Sequence, residues 1–187
     1  MNQNFFATLR AAWAGADARP CLSLPSGRSI SYGAMDALSA RMAGALAAKG
    51  AKPGDRILVQ AEKSIENVAL YLGALRAGLV YVPLNTAYTA EEVEYFLQDA
   101  EPALFVCPPG KADALKAAAK AAKVLDLLTL DGAGEGALRA AAQEAAPLKN
   151  IQPRHEDDLA AILYTSGTTG RSKGAMLSHK NLSSNAK

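Results

Sequence analysis

Short, unbroken apolar runs alternate along this chain with longer segments whose apolar positions recur at helical spacing. Residues 21–24 and 29–31 flank Pro25-Ser26-Gly27-Arg28, a pattern that predicts two short strands joined by a hairpin turn. Residues 32–49 predict a helix with Leu38, Met42, Ala45 and Leu46 along its apolar stripe, Ser31 as N-cap and Gly50 as its stop. Ala34 stands where a capping box needs Glu, so that box is incomplete. Pro53-Gly54-Asp55 then turns the chain into a strand over 56–60.

The alternation continues downstream. Ser64 caps a helix that runs to Ala77, with Glu66 near its positive end. Val68, Leu70, Tyr71, Leu72 and Leu75 surround most of that helix and predict deep packing. Gly78 ends it, and residues 79–84 form the next strand. Thr89 and Glu92 make a capping box, with Tyr88 and Val93 as a hydrophobic staple, for a helix reaching Asp99. Pro102 blocks continuation, and residues 103–107 form a strand stopped by Pro108-Pro109. A helix over 112–122, a strand over 124–128 and a helix over 137–145 follow. Lys116, Lys120 and Lys123 lie near one face of the first of these helices and read as a solvated face rather than a basic patch.

Strands and helices at this spacing predict an α/β fold with a largely parallel sheet and flanking helices. Residues 147–158 are polar, contain Pro153, and read as a connection. The expected division is therefore an N-terminal α/β subdomain over residues 1–150 and the start of a second unit over residues 151–187. That second unit opens with the apolar run Leu159-Ala160-Ala161-Ile162-Leu163-Tyr164-Thr165, a buried strand by its composition. Residues 174–178 give another short strand, predicted to run antiparallel to the first. The apolar strand over 159–165 is expected to have neighbours on one side only, which carries an expectation of self-association.

Composition narrows the classes. The 187 residues are 50% hydrophobic and carry a formal net charge of +2, which implies no strong attraction to nucleic acid. No stretch is apolar enough to span a bilayer, and residues 1–7 lack the charged and apolar regions of a secretory signal. Cys21 and Cys107 are the two cysteines, far apart and in no metal-ligand spacing; both read as buried thiols of a reducing compartment, the cytoplasm. Two histidines leave little for metal or triad chemistry.

The chemistry concentrates in one run, Tyr164-Thr165-Ser166-Gly167-Thr168-Thr169-Gly170-Arg171-Ser172-Lys173-Gly174. Glycines let successive backbone N–H groups face one anion. Hydroxyls donate to phosphate oxygens, and Lys adds a point charge. The run is not a Walker A loop, because Gly170 is followed by Arg171-Ser172-Lys173-Gly174 and because a strand, not a helix, comes next. Four further residues stay open: His179 as base or helix start, Asp157 and Asp158 as Mg²⁺ ligands or polar turn, and Tyr164 as nucleotide lining or packing.

The run resembles the phosphate-binding loop of the adenylate-forming superfamily, which includes acyl- and aryl-CoA synthetases and peptide-synthetase adenylation domains. Ser172 stands where that motif usually has Pro, which frees φ at this position. Upstream, Ser31-Tyr32, Gly54-Asp55-Arg56 and Leu72-Gly73-Ala74-Leu75-Arg76-Ala77-Gly78 continue the resemblance. Glu62-Lys63-Ser64, Leu84-Asn85-Thr86-Ala87-Tyr88-Thr89 and Tyr95-Phe96-Leu97-Gln98-Asp99-Ala100-Glu101-Pro102 resemble the malonyl-CoA synthetase branch.

The resemblance implies an AMP-forming carboxylate–CoA ligase using ATP, Mg²⁺ and coenzyme A, with malonate or methylmalonate as the acid. Other acyl, aryl or amino acids, or a non-catalytic nucleotide-binding remnant, are the alternatives. It assigns Thr165, Ser166, Gly167, Thr168, Thr169, Gly170 and Lys173 to the ATP phosphates. It further implies that this chain, ending at Lys187, is the N-terminal piece of a longer synthetase. The adenine, acid, CoA and Mg²⁺ sites would then lie downstream, and the piece alone would be inactive.

Overall fold

The computed structural model describes residues 2–165 and 172–186. The chain folds as a mixed α/β structure whose elements follow the predicted alternation. β1 (Pro20–Ser23) and β2 (Ser29–Ser31) form an antiparallel hairpin. The main sheet contains β3 (Arg56–Val59), β4 (Val80–Pro83), β5 (Leu104–Cys107), β6 (Asp126–Thr129), β7 (Leu159–Thr165) and β8 (Lys173–Ser178). Their spatial order is β6-β5-β3-β4-β7-β8; all neighbours are parallel except the β7–β8 pair.

Helices cover both faces, which is why β4, β5 and all of β3 beyond Arg56 are apolar rather than alternating. On one face lie α1 (Phe5–Ala12), α2 (Tyr32–Ala48), α3 (Ile65–Arg76) and α6 (Ala137–Glu144), packed around Met42, Leu46, Leu70 and Leu75. On the other lie α4 (Ala90–Ala100) and α5 (Pro109–Ala121), packed around Val93, Phe96, Phe105 and Leu115. A short α7 (His179–Asn185) follows β8.

The caps account for the boundaries. Ser31, Ser64 and Thr89 each accept a hydrogen bond from the third residue of their helix, and Thr89 with Glu92 completes the expected box. Gly50 closes α2 at φ +93°, a conformation a side chain would strain.

Four readings need correction. The buried face of α2 is wider than one stripe, adding Met35, Ser39, Ala40 and Ala43, while Leu38 is only partly covered, because α3 and α6 both press on α2. Val68 is 39% exposed, so α3 has a solvent face after all. α5 begins at Pro109, earlier than expected, because proline at the first helical position lacks only an N–H that would be unpaired anyway. Cys21 is half-buried rather than buried, since its strand lies in the small peripheral hairpin; Cys107 is fully buried.

Helix α1 went unpredicted. Asn4 caps it, accepting from Phe6 N, and the same carboxamide donates to Leu75 O at 2.7 Å and Gln152 O at 3.0 Å. Gln3 N donates to Arg154 O, and Arg154 N returns a bond to Asn2 Oδ1. The N-terminal segment thereby straps down the connection leading into β7.

Candidate functional site

β7 and β8 form a hairpin whose open end carries the candidate loop. Thr165 and Lys173 face each other as the last partners in the register, and Tyr164 pairs with Gly174. Both Thr165 and Lys173 are exposed. The other expected phosphate contacts, Ser166, Gly167, Thr168, Thr169 and Gly170, lie outside the described residues. Gly174 is required by its neighbours: a Cβ there would sit 2.7 Å from Ile162 Cγ2 and 3.4 Å from the Tyr164 ring.

Helix α4 supports this hairpin. The Tyr164 ring lies 4.6 Å from Phe96, centroid to centroid, and its hydroxyl donates to Asp99 Oδ2. Burial first, and then the Asp99 carboxylate, hold the Tyr164 phenol protonated well above its ordinary pKa. Tyr164 therefore packs. Tyr95 donates its hydroxyl to Ser172 O at 2.9 Å. Phe96 is further enclosed by Tyr88 at 4.9 Å and Tyr95 at 5.2 Å.

Thr165 ends its strand at the same side of the sheet as the carboxyl ends of β3, β4 and β5, where parallel sheets hold ligands. There the segment after β4 is clamped by two residues that sequence reasoning missed. Gln60, with no exposed surface, donates to Asn85 O and Tyr88 O. Lys111 donates to Thr86 O at 2.8 Å and Tyr88 O at 2.9 Å. No periodic signal marks either residue, though Lys111 does stand at the start of α5, apart from the exposed Lys116, Lys120 and Lys123. A depression of about 780 Å³ lined by Asp55, Arg56, Glu101 and Lys123 opens at the opposite, amino ends of β3 and β5. Its position argues against it as the site.

His179 is buried at the start of α7 and accepts Phe5 N–H at Nδ1, 3.0 Å away, so it serves structure. Burial, then the Arg154 guanidinium, depress its pKa to about 4 against the opposing pull of Asp158. Asp158 caps the turn before β7, accepting from His155 N, and pairs with Arg154. Among the described residues no group of three or more His, Cys, Asp or Glu could hold a metal ion. No helix among them is long and apolar enough to cross a membrane.

A largely parallel α/β sheet ending in an antiparallel strand pair on either side of a Gly- and hydroxyl-rich run matches the N-terminal part of adenylate-forming enzymes. The chain belongs to the AMP-binding enzyme family, whose model matches residues 9–187. It superposes on the ATP-bound MatB of Rhodopseudomonas palustris with a TM-score of 0.94 and 48% identity, covering 100% of this chain and 37% of that one. An oxalate–CoA ligase of Arabidopsis thaliana is 34% identical over 173 residues, 90% of this chain and 34% of that protein. Tyrocidine synthase 1 of Brevibacillus parabrevis is 35% identical over 157 residues, 83% of this chain and 13% of that protein. The chain thus spans well under half the length of each of these relatives.

Proposed function

We propose that the polypeptide containing this chain is an AMP-forming carboxylate–CoA ligase, with malonate as its acid. One malonate oxygen attacks the α-phosphorus of ATP, the bond to the β-phosphate oxygen breaks, and pyrophosphate leaves. The thiolate sulfur of coenzyme A then attacks the carbonyl of malonyl-adenylate and AMP departs, leaving malonyl-CoA.

The observation that carries this reading is the β7–β8 hairpin, with Thr165 opposite Lys173 at the mouth of the Gly/Ser/Thr run. The first half-reaction asks a protein mainly to position phosphates and spread their charge. Thr165, Ser166, Gly167, Thr168, Thr169 and Gly170 are proposed to donate to the β- and γ-phosphates. Lys173 is proposed to balance charge as pyrophosphate forms. Mg²⁺ would enter with the ATP phosphates; no described side chain is assigned to it.

Malonate is favoured by the three segments that resemble the malonyl-CoA synthetase branch and by the 48% identity to MatB. The oxalate–CoA ligase and tyrocidine synthase relatives support a second reading, the same adenylation with another carboxylic or amino acid.

Carboxylate-dependent ATP–pyrophosphate exchange by the complete gene product tests the proposal, with malonate, methylmalonate, acetate and octanoate compared side by side. The strongest exchange is expected with malonate. Stronger exchange with another acid would transfer the assignment to that acid, and no exchange from a folded protein would remove the ligase reading.

A further inference from the structure

The hairpin is tied to α4 on both of its stems by side chains that the proposed chemistry leaves without a role. On the β7 stem, Tyr164 packs at a tilt against Phe96 and donates to Asp99. On the β8 side, Tyr95 donates to the Ser172 carbonyl at 2.9 Å, across 77 positions of sequence. Tyr95, Phe96 and Asp99 occupy about one turn of a single helix, so one rigid element fixes both stems.

Peptide planarity gives the Tyr95 bond its consequence. The Ser172 carbonyl and the Lys173 N–H belong to the same planar unit. Holding that carbonyl fixes the plane through which the chain enters β8; together with the pairing of Lys173 opposite Thr165, which restrains φ, it sets the direction of the Lys173 Cα–Cβ bond. Ser172 has no pyrrolidine ring to restrict its own φ, so the backbone here depends on an external tie. The Tyr95 ring is itself held edge-on against buried Phe96, so the hydroxyl is presented from a fixed base.

We propose that Tyr95 is a positioning residue for Lys173: by holding the Ser172 carbonyl it sets where the lysine ammonium meets the phosphates of a nucleotide. The inference rests on the reading of Lys173 as a phosphate-binding cation. Asp99 and Tyr164 keep the facing stem in register with it.

Tyr95→Phe in the complete gene product tests this, because it removes the hydroxyl and keeps the ring on Phe96. Loss of one such hydrogen bond is expected to raise KM for ATP and for pyrophosphate in the exchange reaction roughly two- to tenfold. KM for the carboxylic acid should stay unchanged, which a general loss of structure would not allow. Equal shifts in ATP and acid KM would overturn the proposal.

Amide hydrogen exchange provides a readout independent of catalysis. Exchange at Ser172, Lys173 and Gly174 should accelerate in Tyr95→Phe while the thermal midpoint stays within about 4 °C of wild type, the shift that loss of one hydrogen bond allows. Unchanged exchange at these amides overturns the positioning role whatever the kinetics. Absence of pyrophosphate exchange in the unsubstituted protein would instead remove the ligase reading, and the amide data would still decide the role of Tyr95.

Discussion

At the scale of single residues, the site depends on small groups whose roles differ sharply. Thr168 and Lys173 are proposed to contact phosphate, and on that proposal their removal should act on chemistry rather than folding. A charge-assisted hydrogen bond contributes about 1.5–3 kcal/mol, so Thr168→Ala is expected to slow adenylation roughly ten- to a hundredfold, as single-turnover kinetics with ATP and malonate would show. An unchanged rate would contradict the assignment. His179 is the opposite case, a titratable group that works as structure. Its Nδ1 accepts Phe5 N–H, and a proton there would break the bond. With a folded pKa of about 4 against 6.5 for the free ring, the unfolded chain binds a proton that the folded chain refuses between those values. The stability held by the neutral ring is therefore complete above pH 6.5 and falls as pH drops toward 4, by up to about 3 kcal/mol. Urea midpoints between pH 7 and 5 should decline, and His179→Asn should flatten the decline. Equal slopes in the two proteins would contradict this.

At the scale of elements, the helix-to-helix contacts decide what the chain tolerates. The crossing of α2 and α3 is close at Gly73, where a Cβ would lie 2.8 Å from Met42 Cβ and 2.9 Å from Ser39 O. Alanine raises helix propensity by about 1 kcal/mol over glycine, but overpacking costs about 1–3 kcal/mol and involves backbone that cannot swing away. Gly73→Ala should therefore lower the thermal midpoint; a raised midpoint would show that α2 shifts freely. The same elements mark what the sequence reveals. Helix α4 was legible because Thr89 and Glu92 announce its start, and β7 because a long apolar run has no other use. The Gly- and hydroxyl-rich run stood out because its residues are contiguous; its expected phosphate contacts from Ser166 to Gly170 lie outside the described residues. Helix α1 escaped because its Asn4 cap sits among polar residues that read as a frayed end. Glu66 was assigned only a helix-end role, yet it is buried and paired with Arg28 from the β1–β2 turn, 38 positions away. Pairings of that kind, like Tyr95 with Ser172, have no period and leave no local trace.

At the scale of the molecule, one sheet unites the hairpin with the α/β strands through the β4–β7 pair. This corrects the expectation that β7 would have a neighbour on one side only: β4 lies on one flank and β8 on the other, and β8 is the edge. Met176 on that edge strand is 67% exposed. The 187-residue chain by itself is therefore expected to self-associate as concentration rises, and Met176→Lys to oppose it. Size-exclusion chromatography with light scattering checks both, and a constant monomer mass over a wide concentration range would count against the exposed edge as an adhesive. Such a sheet, carrying at the carboxyl end of β7 the hairpin proposed to bind phosphate, suits the proposed attack on the α-phosphorus of ATP, and that proposal has a direct test. Malonate labelled with ¹⁸O in its carboxylates is incubated with ATP, coenzyme A and the complete gene product, and the nucleotide product is analysed by mass. Attack at the α-phosphorus places one ¹⁸O in AMP, which is the expected result. Label in inorganic phosphate with ADP as the nucleotide product would mean attack at the γ-phosphorus, and the adenylate-forming reading would be wrong.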